Sequence, residues 1–216
     1  AMNSAKLSAH FGPESTVTAG NGLPGDVHEF LITKRNTALI TIYQPRPWDL
    51  SAVGGPKEGK IFDGVVQEID IATGEVLFEW HSSDEIDVSE SYTKPPPAAQ
   101  GAKAAPMDYF HINSVDEGPN GNLLISARNT HAIYEIDRQS GKVLWRLGGK
   151  KSDFTIGPGV KFAWQHDARR QPDGTLTLFD NAADPKTAEY SRALVLDVDP
   201  ETKQATFCSA MTKGSV

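Results

Sequence analysis

Glu68-Ile69-Asp70-Ile71-Ala72-Thr73-Gly74-Glu75-Val76-Leu77-Phe78 returns without a gap as Glu135-Ile136-Asp137-Arg138-Gln139-Ser140-Gly141-Lys142-Val143-Leu144-Trp145. Both copies read strand, turn, strand, because an Asp-x-x-Thr/Ser-Gly turn with a φ > 0 glycine is flanked by β-branched, aromatic and apolar residues. A third copy, Leu194-Val195-Leu196-Asp197 followed by Ala205-Thr206-Phe207, keeps the pattern around a longer turn that contains Pro200. Upstream of each copy lies another hairpin, with outgoing strands Leu39–Tyr43, Leu123–Ala127 and Leu176–Phe179. Their turns carry Arg35-Asn36, Gly118-Pro119-Asn120-Gly121 and Pro172-Asp173-Gly174, all good hairpin chemistry. Each unit is therefore a meander of four antiparallel strands, apolar on both faces, that must stack on copies of itself. The expected fold is all-β, a β-propeller built of four-stranded blades with three blades in this chain; an open sandwich is the alternative.

The expected layout is a tail or the remnant of a preceding blade at 1–25, blade one at 26–84, a loop at 85–107, blade two at 108–152, blade three at 153–210 and the truncated start of a next blade at 211–216. Pro45 to Lys60 and roughly Ser82 to Pro106 read as surface loops, the second, with Pro95-Pro96-Pro97, extended and mobile. Trp48 reads as a packing anchor in the first loop, with a lid over a channel mouth as the alternative.

His28, His111 and His166 fall 8, 10 and 8 residues before the turn residues Asn36, Gly121 and Gly174, each on the first strand of its unit. First strands line the central channel of a propeller, so the three imidazoles are expected to converge. A two-residue turn at Pro119-Asn120 pairs His111 with Arg128. The same arithmetic pairs His28 with Tyr43 and His166 with Phe179, and opposed residues share a face. Asn113 and Asn181, one or two strand positions away, read as hydrogen-bonding neighbours that help bind substrate, with a plain backbone role as the alternative. His10, His81 and His131 have no equivalents in the repeat and read as surface or loop residues; Arg169-Arg170 reads as a solvated edge.

Composition narrows the function. A net charge of −7, with 21 Lys and Arg scattered along the chain, lacks the basic face that phosphate binding requires, so no nucleic-acid partner is expected. No apolar run is long enough for a membrane span, and no basic start followed by an apolar stretch marks a signal peptide. The single Cys208 forms no intrachain disulfide and no Asn-x-Ser/Thr acceptor occurs, which leaves the compartment open.

Asp26-Val27-His28-Glu29-Phe30, Asp108–Ser114, Leu124–Arg128, Gly141–Gly149 and Gln165-His166-Asp167-Ala168-Arg169 together resemble the arylsulfate sulfotransferase family, its fungal and actinobacterial branch in particular. The resemblance runs from about Asp26 to Asp199. It implies a six-bladed propeller that moves a sulfuryl group between phenols without a nucleotide donor or any cofactor, and a secreted or periplasmic-type setting. Carried over by motif, His166 matches the nucleophile that is transiently sulfated, and His28, His111 and Arg128 match the groups that bind the sulfuryl oxygens. The assignment of Tyr43 and Phe179 to stacking on an aryl ring is read from the strand pairing and not from the family.

Two other functions fit the same residues. Three converging histidines suit a divalent metal, although a neighbouring guanidinium opposes a dication. A propeller can also serve as a binding module, or its channel can run other chemistry on an aromatic substrate. Three blades fall short of closure, and Lys213-Gly214-Ser215-Val216 resembles the opening of a next blade. The expected partners are thus a small aromatic substrate and further blades, from the same chain or another, with a homodimeric ring as one arrangement.

Overall fold

Asp70 and Asp137 build the turns of the repeat with their own side chains. Asp70 accepts from the backbone N–H groups of Ala72 and Thr73 at 2.8 and 2.9 Å, and Asp137 accepts from Ser140 at 2.7 Å, while Gly74 and Gly141 take φ of +76° and +72°. In the third copy Asp199, not Asp197, plays this part, accepting from Glu201 and Thr202, and Lys203 stands at φ +54° where the other copies have glycine. The Pro200 turn therefore has the same length as the others. The expectation of a longer turn fails because two aspartates lie one strand period apart and only the second faces the turn.

In the computed structural model, residues 16–97, 105–183 and 185–212 are described. Among them the strands form three sheets. Sheet one is β1 (Phe30–Ile32), β2 (Thr37–Trp48), β3 (Gly59–Asp70) and β4 (Val76–His81), in that order. Sheet two is β5 (Ile112–Glu117), β6 (Leu123–Ala127), β7 (Ala132–Ile136) and β8 (Val143–Gly148). Sheet three holds β10 (His166–Arg170), β11 (Leu176–Asp180), β12 (Arg192–Asp199) and β13 (Gln204–Thr212), and adds β9 (Thr155–Ile156) parallel to the outer edge of β13. That fifth strand departs from the expected four. Met211 and Thr212 pair with Ala193 and Arg192 inside sheet three instead of opening a further unit; 213–216 and His10 lie outside the described residues.

Alternation along the strands explains the packing. On β6, Leu123, Ile125 and Ala127 face sheet one while Leu124 faces sheet three, so sheet two is apolar on both sides. Leu39, Val66, Trp80, Phe110, Ile125 and Tyr134 fill the layer between sheets one and two. Leu124, Trp145, Leu176, Leu178, Leu194 and Leu196 fill the layer between sheets two and three. Each such fully buried aliphatic or aromatic residue contributes roughly 1.5–3 kcal/mol, which outweighs the ordering of short strands. Gly64 on β3 allows the closest approach, since a Cβ there would stand 2.7 Å from Cδ1 of Phe110.

Both expected loops are more structured than their composition suggests. β2 runs through Pro45 and Pro47 to Trp48, pairing with β3 down to Gly59, so the loop shrinks to residues 49–58. Trp48 packs against the first core layer as an anchor. Ser82–Glu85 forms one helical turn, and Ile86, Val88, Glu90 and Ser91 are buried, so this stretch is part of the core and not a mobile surface loop. Residues 98–104 of that stretch lie outside the described residues. No helix among the described residues is long and apolar enough to cross a membrane.

Candidate functional site

The three repeat histidines meet. One ring nitrogen from each of His28, His111 and His166 lies within 4.8 Å of the others. Their ring centroids stand 5.2 Å (His28 to His111), 6.2 Å (His111 to His166) and 6.4 Å (His28 to His166) apart.

Local backbone aims each ring. His28 precedes β1, its N–H and its Nδ1 both on the carboxylate of Asp26, at 2.9 and 2.5 Å. His111 precedes β5 with φ +54°, a conformation uncommon for a non-glycine residue, and its Nδ1 sits 2.5 Å from Oδ2 of Asp108. His166 opens β10 between two residues of positive φ, Trp164 and Asp167, and its Nδ1 lies 3.0 Å from the carbonyl oxygen of Trp164. The Trp164 carbonyl only accepts and lies nearer than the Asn181 amide nitrogen at 3.3 Å, so the contacts favour the tautomer with the proton on Nδ1 and the lone pair on Nε2. Burial first, then the electrostatic effect of His111, Arg128 and His28, holds the His166 pKa below the usual histidine value, so the ring is neutral at pH 7.

Sheet two fastens the His166 segment. Side chains of Asn113, Ser114 and Asp116 accept from the backbone N–H groups of Asp167, Ala168 and Arg170 at 3.3, 3.1 and 2.9 Å. The Asn113 amide donates to the Gln165 carbonyl at 3.0 Å, and the wholly buried Gln165 amide donates to Ser126, Ala127 and Ala132. Asn113 thus bonds backbone on both sides and holds the His166 strand in place. Arg169 reaches across all three sheets, to Glu29 on the His28 segment, to Asp167, and to the Val115 carbonyl at 3.0 Å. Arg169 and Arg170 are internal ties, not a solvated edge; Arg170 pairs with Glu135.

The remaining expected site residues divide. The Arg128 N–H donates to the His111 carbonyl at 2.9 Å, which matches the expected pairing; a bulge at Asn113 shifts the register so that it holds there but not nearer the turn. The Arg128 guanidinium lies 4.8 Å over the Trp164 ring and donates to Asn129. Tyr43 stacks on His28 at 5.7 Å and meets the edge of His111 at 5.6 Å, yet by a different register from the one expected, because β1 begins at Phe30 opposite Ile40. Its hydroxyl donates to the Ile112 carbonyl at 2.7 Å, and burial together with Asp108 and Asp26 pushes its pKa far up, so it stays neutral. Phe179 pairs with His166 in register, but its ring is 44% exposed and lines a groove on the uncovered face of sheet three with Val195 and Met211. Asn181 approaches Nδ1 of His166 at 3.3 Å.

Two other histidines are not surface residues. His81 bridges Asp63 at 2.7 Å and Glu79 at 3.0 Å, and the hydrogen bond to Asp63 leads in raising its pKa to about 8. His131 is 7% exposed, stacked 4.0 Å from Tyr92 and edge-on to Trp164 at 4.1 Å, and burial lowers its pKa to about 4. These rings wall a cavity of about 590 Å³ between sheets two and three. Sequence spacing missed it because its residues come from five separate segments; the cue available was Trp164, two residues before His166.

Three imidazoles with Nδ1 engaged leave three Nε2 atoms to face a common guest. The arrangement can hold a tetrahedral oxyanion or a divalent cation, and His166 can act on an electrophile.

Comparison with known proteins places the chain. No curated protein matches it. Among solved structures, a protein of unknown function from Bacteroides caccae is similar, at 11% identity and a TM-score of 0.47, over 93% of this chain and 50% of that one. The present chain thus spans about half the length of that protein. Residues 11–215 match the sequence model of a family described as arylsulfotransferase (ASST). A match over nearly its whole length means that the chain belongs to the arylsulfotransferase family.

Proposed function

We propose that this chain carries the catalytic half of a nucleotide-independent sulfotransferase that moves a sulfuryl group from an aryl sulfate to a phenol through a sulfo-histidine at His166. The observation that carries the reading is the unequal treatment of three converging rings: carboxylates on His28 and His111, a carbonyl on the neutral His166.

In the first step the Nε2 lone pair of His166 attacks sulfur, the S–N bond forms, and the S–O bond to the aryl group breaks, releasing a phenolate that takes a proton from solvent. In the second step an acceptor phenol gives its proton to solvent, its oxygen attacks the same sulfur, and the S–N bond breaks to restore the imidazole, so that no net proton is consumed. Splitting the transfer lets one site serve donor and acceptor in turn. With the sulfuryl anion bound, the Nε2–H groups of His28 and His111 donate to its oxygens, each ring balanced by its own aspartate, and Arg128 adds a planar fork of donors. Further sheets, from the same chain or a second copy, would close the three described here into a propeller and exclude water from the site.

Incubation with 4-nitrophenyl sulfate and a phenol acceptor tests the reading. Nitrophenol release is expected from the unaltered protein and none from His166→Asn; full activity in that variant removes the sulfo-histidine. A second reading rests on the same 4.8 Å cluster, since carboxylates on Nδ1 also orient metal-binding histidines. Stoichiometric metal in the purified protein, with loss of activity on chelation, would replace the first reading with the second.

A further inference from the structure

The cavity between sheets two and three shares a wall with the histidine cluster. Trp164 lines it, and the carbonyl of the same residue accepts from His166. Ala182 also lines it and directly follows Asn181, which touches His166. At about 590 Å³ it lies in the roughly 300–1,000 Å³ range of small-molecule sites. Its walls are flat and apolar where Tyr92, Phe162, Trp164 and Val160 contribute.

Its charge is one-sided. Lys161 lines the rim, Lys150 stands 5.0 Å over the Tyr92 ring, and Arg128 covers the Trp164 ring from the histidine side. Asp180, the one acid in the lining, is consumed by Arg192 and by the N–H groups of Ala163 and Ala182. In a chain of net charge −7 positive charge beside apolar rings suits an aryl group attached to an anion, with Lys161 the freer cation because the Lys150 ammonium donates to the Ser89 and Ser91 carbonyls.

We infer that this cavity is the aryl subsite, holding the ring system of an aryl sulfate whose sulfuryl end points past Trp164 to His166, and that it favours fused-ring over single-ring substrates. This inference rests on the sulfuryl-transfer reading for the identity of the anion. It moves the aryl group away from Tyr43, packed among the histidines, and from Phe179 on the exposed face of sheet three.

Calorimetric titration of the protein with 2-naphthyl sulfate and with methyl sulfate separates the ring from the anion. Naphthyl sulfate is expected to bind at least about tenfold more tightly, the scale of burying one ring. Ala188→Trp, at an exposed position of the lining, is expected to weaken naphthyl sulfate by about tenfold and leave methyl sulfate unchanged. Lys161→Glu, also exposed, is a second variant expected to weaken the naphthyl anion without filling space. Equal affinity for the two sulfates, or naphthyl sulfate binding indifferent to both variants, overturns the inference. Naphthyl sulfate binding that responds to Ala188→Trp in a protein with no transferase activity would sink the transfer reading and keep the subsite. Transfer whose KM for naphthyl sulfate ignores Ala188→Trp would do the reverse.

Discussion

At Nδ1, His28 and His111 meet aspartates and His166 meets a carbonyl, the difference on which the proposed transfer gives one residue type two roles. Removing an orienting carboxylate leaves the ring in place but free to turn, so Asp108→Asn is expected to lower turnover by about tenfold to a hundredfold, the usual cost of losing such a partner. Asp108→Glu should recover part of the loss, and the pH–rate profile should change in the asparagine variant; an unchanged rate and profile would make Asp108 structural only. Arg128→Ala is expected to raise KM for aryl sulfates and lower kcat together, since the guanidinium serves bound anion and transition state alike. Retained turnover there points to chemistry other than sulfuryl transfer. The three histidines were legible in the sequence because the repeat put them in register, and so was the Arg128 pairing. Asp26 and Asp108 could be listed but not oriented, because the residues around His28 and His111 are not strand: β1 and β5 begin only after them, and the positive φ at His111 breaks the alternation from which facing is read.

The hairpin with its aspartate turn is the element that repeats, and its geometry makes a testable comparison among copies. Lys203 occupies a left-handed position that Gly74 and Gly141 fill elsewhere. A left-handed residue with a Cβ is strained by about 1–2 kcal/mol, offset in part by the entropy a glycine loses on folding, so Lys203→Gly is expected to stabilise by about 0.5–1 kcal/mol in urea unfolding. Gly64→Ala on β3 should act the other way by about 1–3 kcal/mol, because its Cβ would overlap Phe110, which has no room to retreat in the core between sheets one and two. The sequence exposed these hairpins and their four-strand grouping. It hid the continuation of β2 through Pro45 and Pro47, because proline is read as a strand breaker although its missing N–H costs nothing where no partner needs it. It also hid the buried 82–91 stretch, whose charged residues pair: Glu90 with Lys151, and Glu85 with Lys142.

Across the whole molecule, two histidines outside the cluster set how stability varies with pH. His81 has its pKa raised to about 8 by the hydrogen bond to Asp63 and by Glu79, so its contribution is complete below the unfolded value near 6.5 and disappears as pH rises through 8. His131 is held down to about 4 by burial and by Arg128, Lys161 and Lys150, so its contribution is complete above about 6.5 and is lost as pH falls toward 4. His166, lowered for the same leading reason, adds to the acid side. Depressed carboxylates such as Asp63 and Asp137 act only lower still, as pH falls through values below the ordinary carboxylate range. The thermal midpoint should therefore peak near pH 6.5 and decline on both sides. His131→Phe keeps a ring between Tyr92 and Trp164 and should flatten the acid decline between pH 6.5 and 4, leaving the part that belongs to His166. His81→Asn should flatten the alkaline decline alone, at the cost of a lower plateau, since Asp63 loses one of its two charged partners and keeps Arg46. A midpoint that falls monotonically from pH 8 to 5 in the unaltered protein, or both declines surviving in the double variant, would place the pH response elsewhere in the molecule.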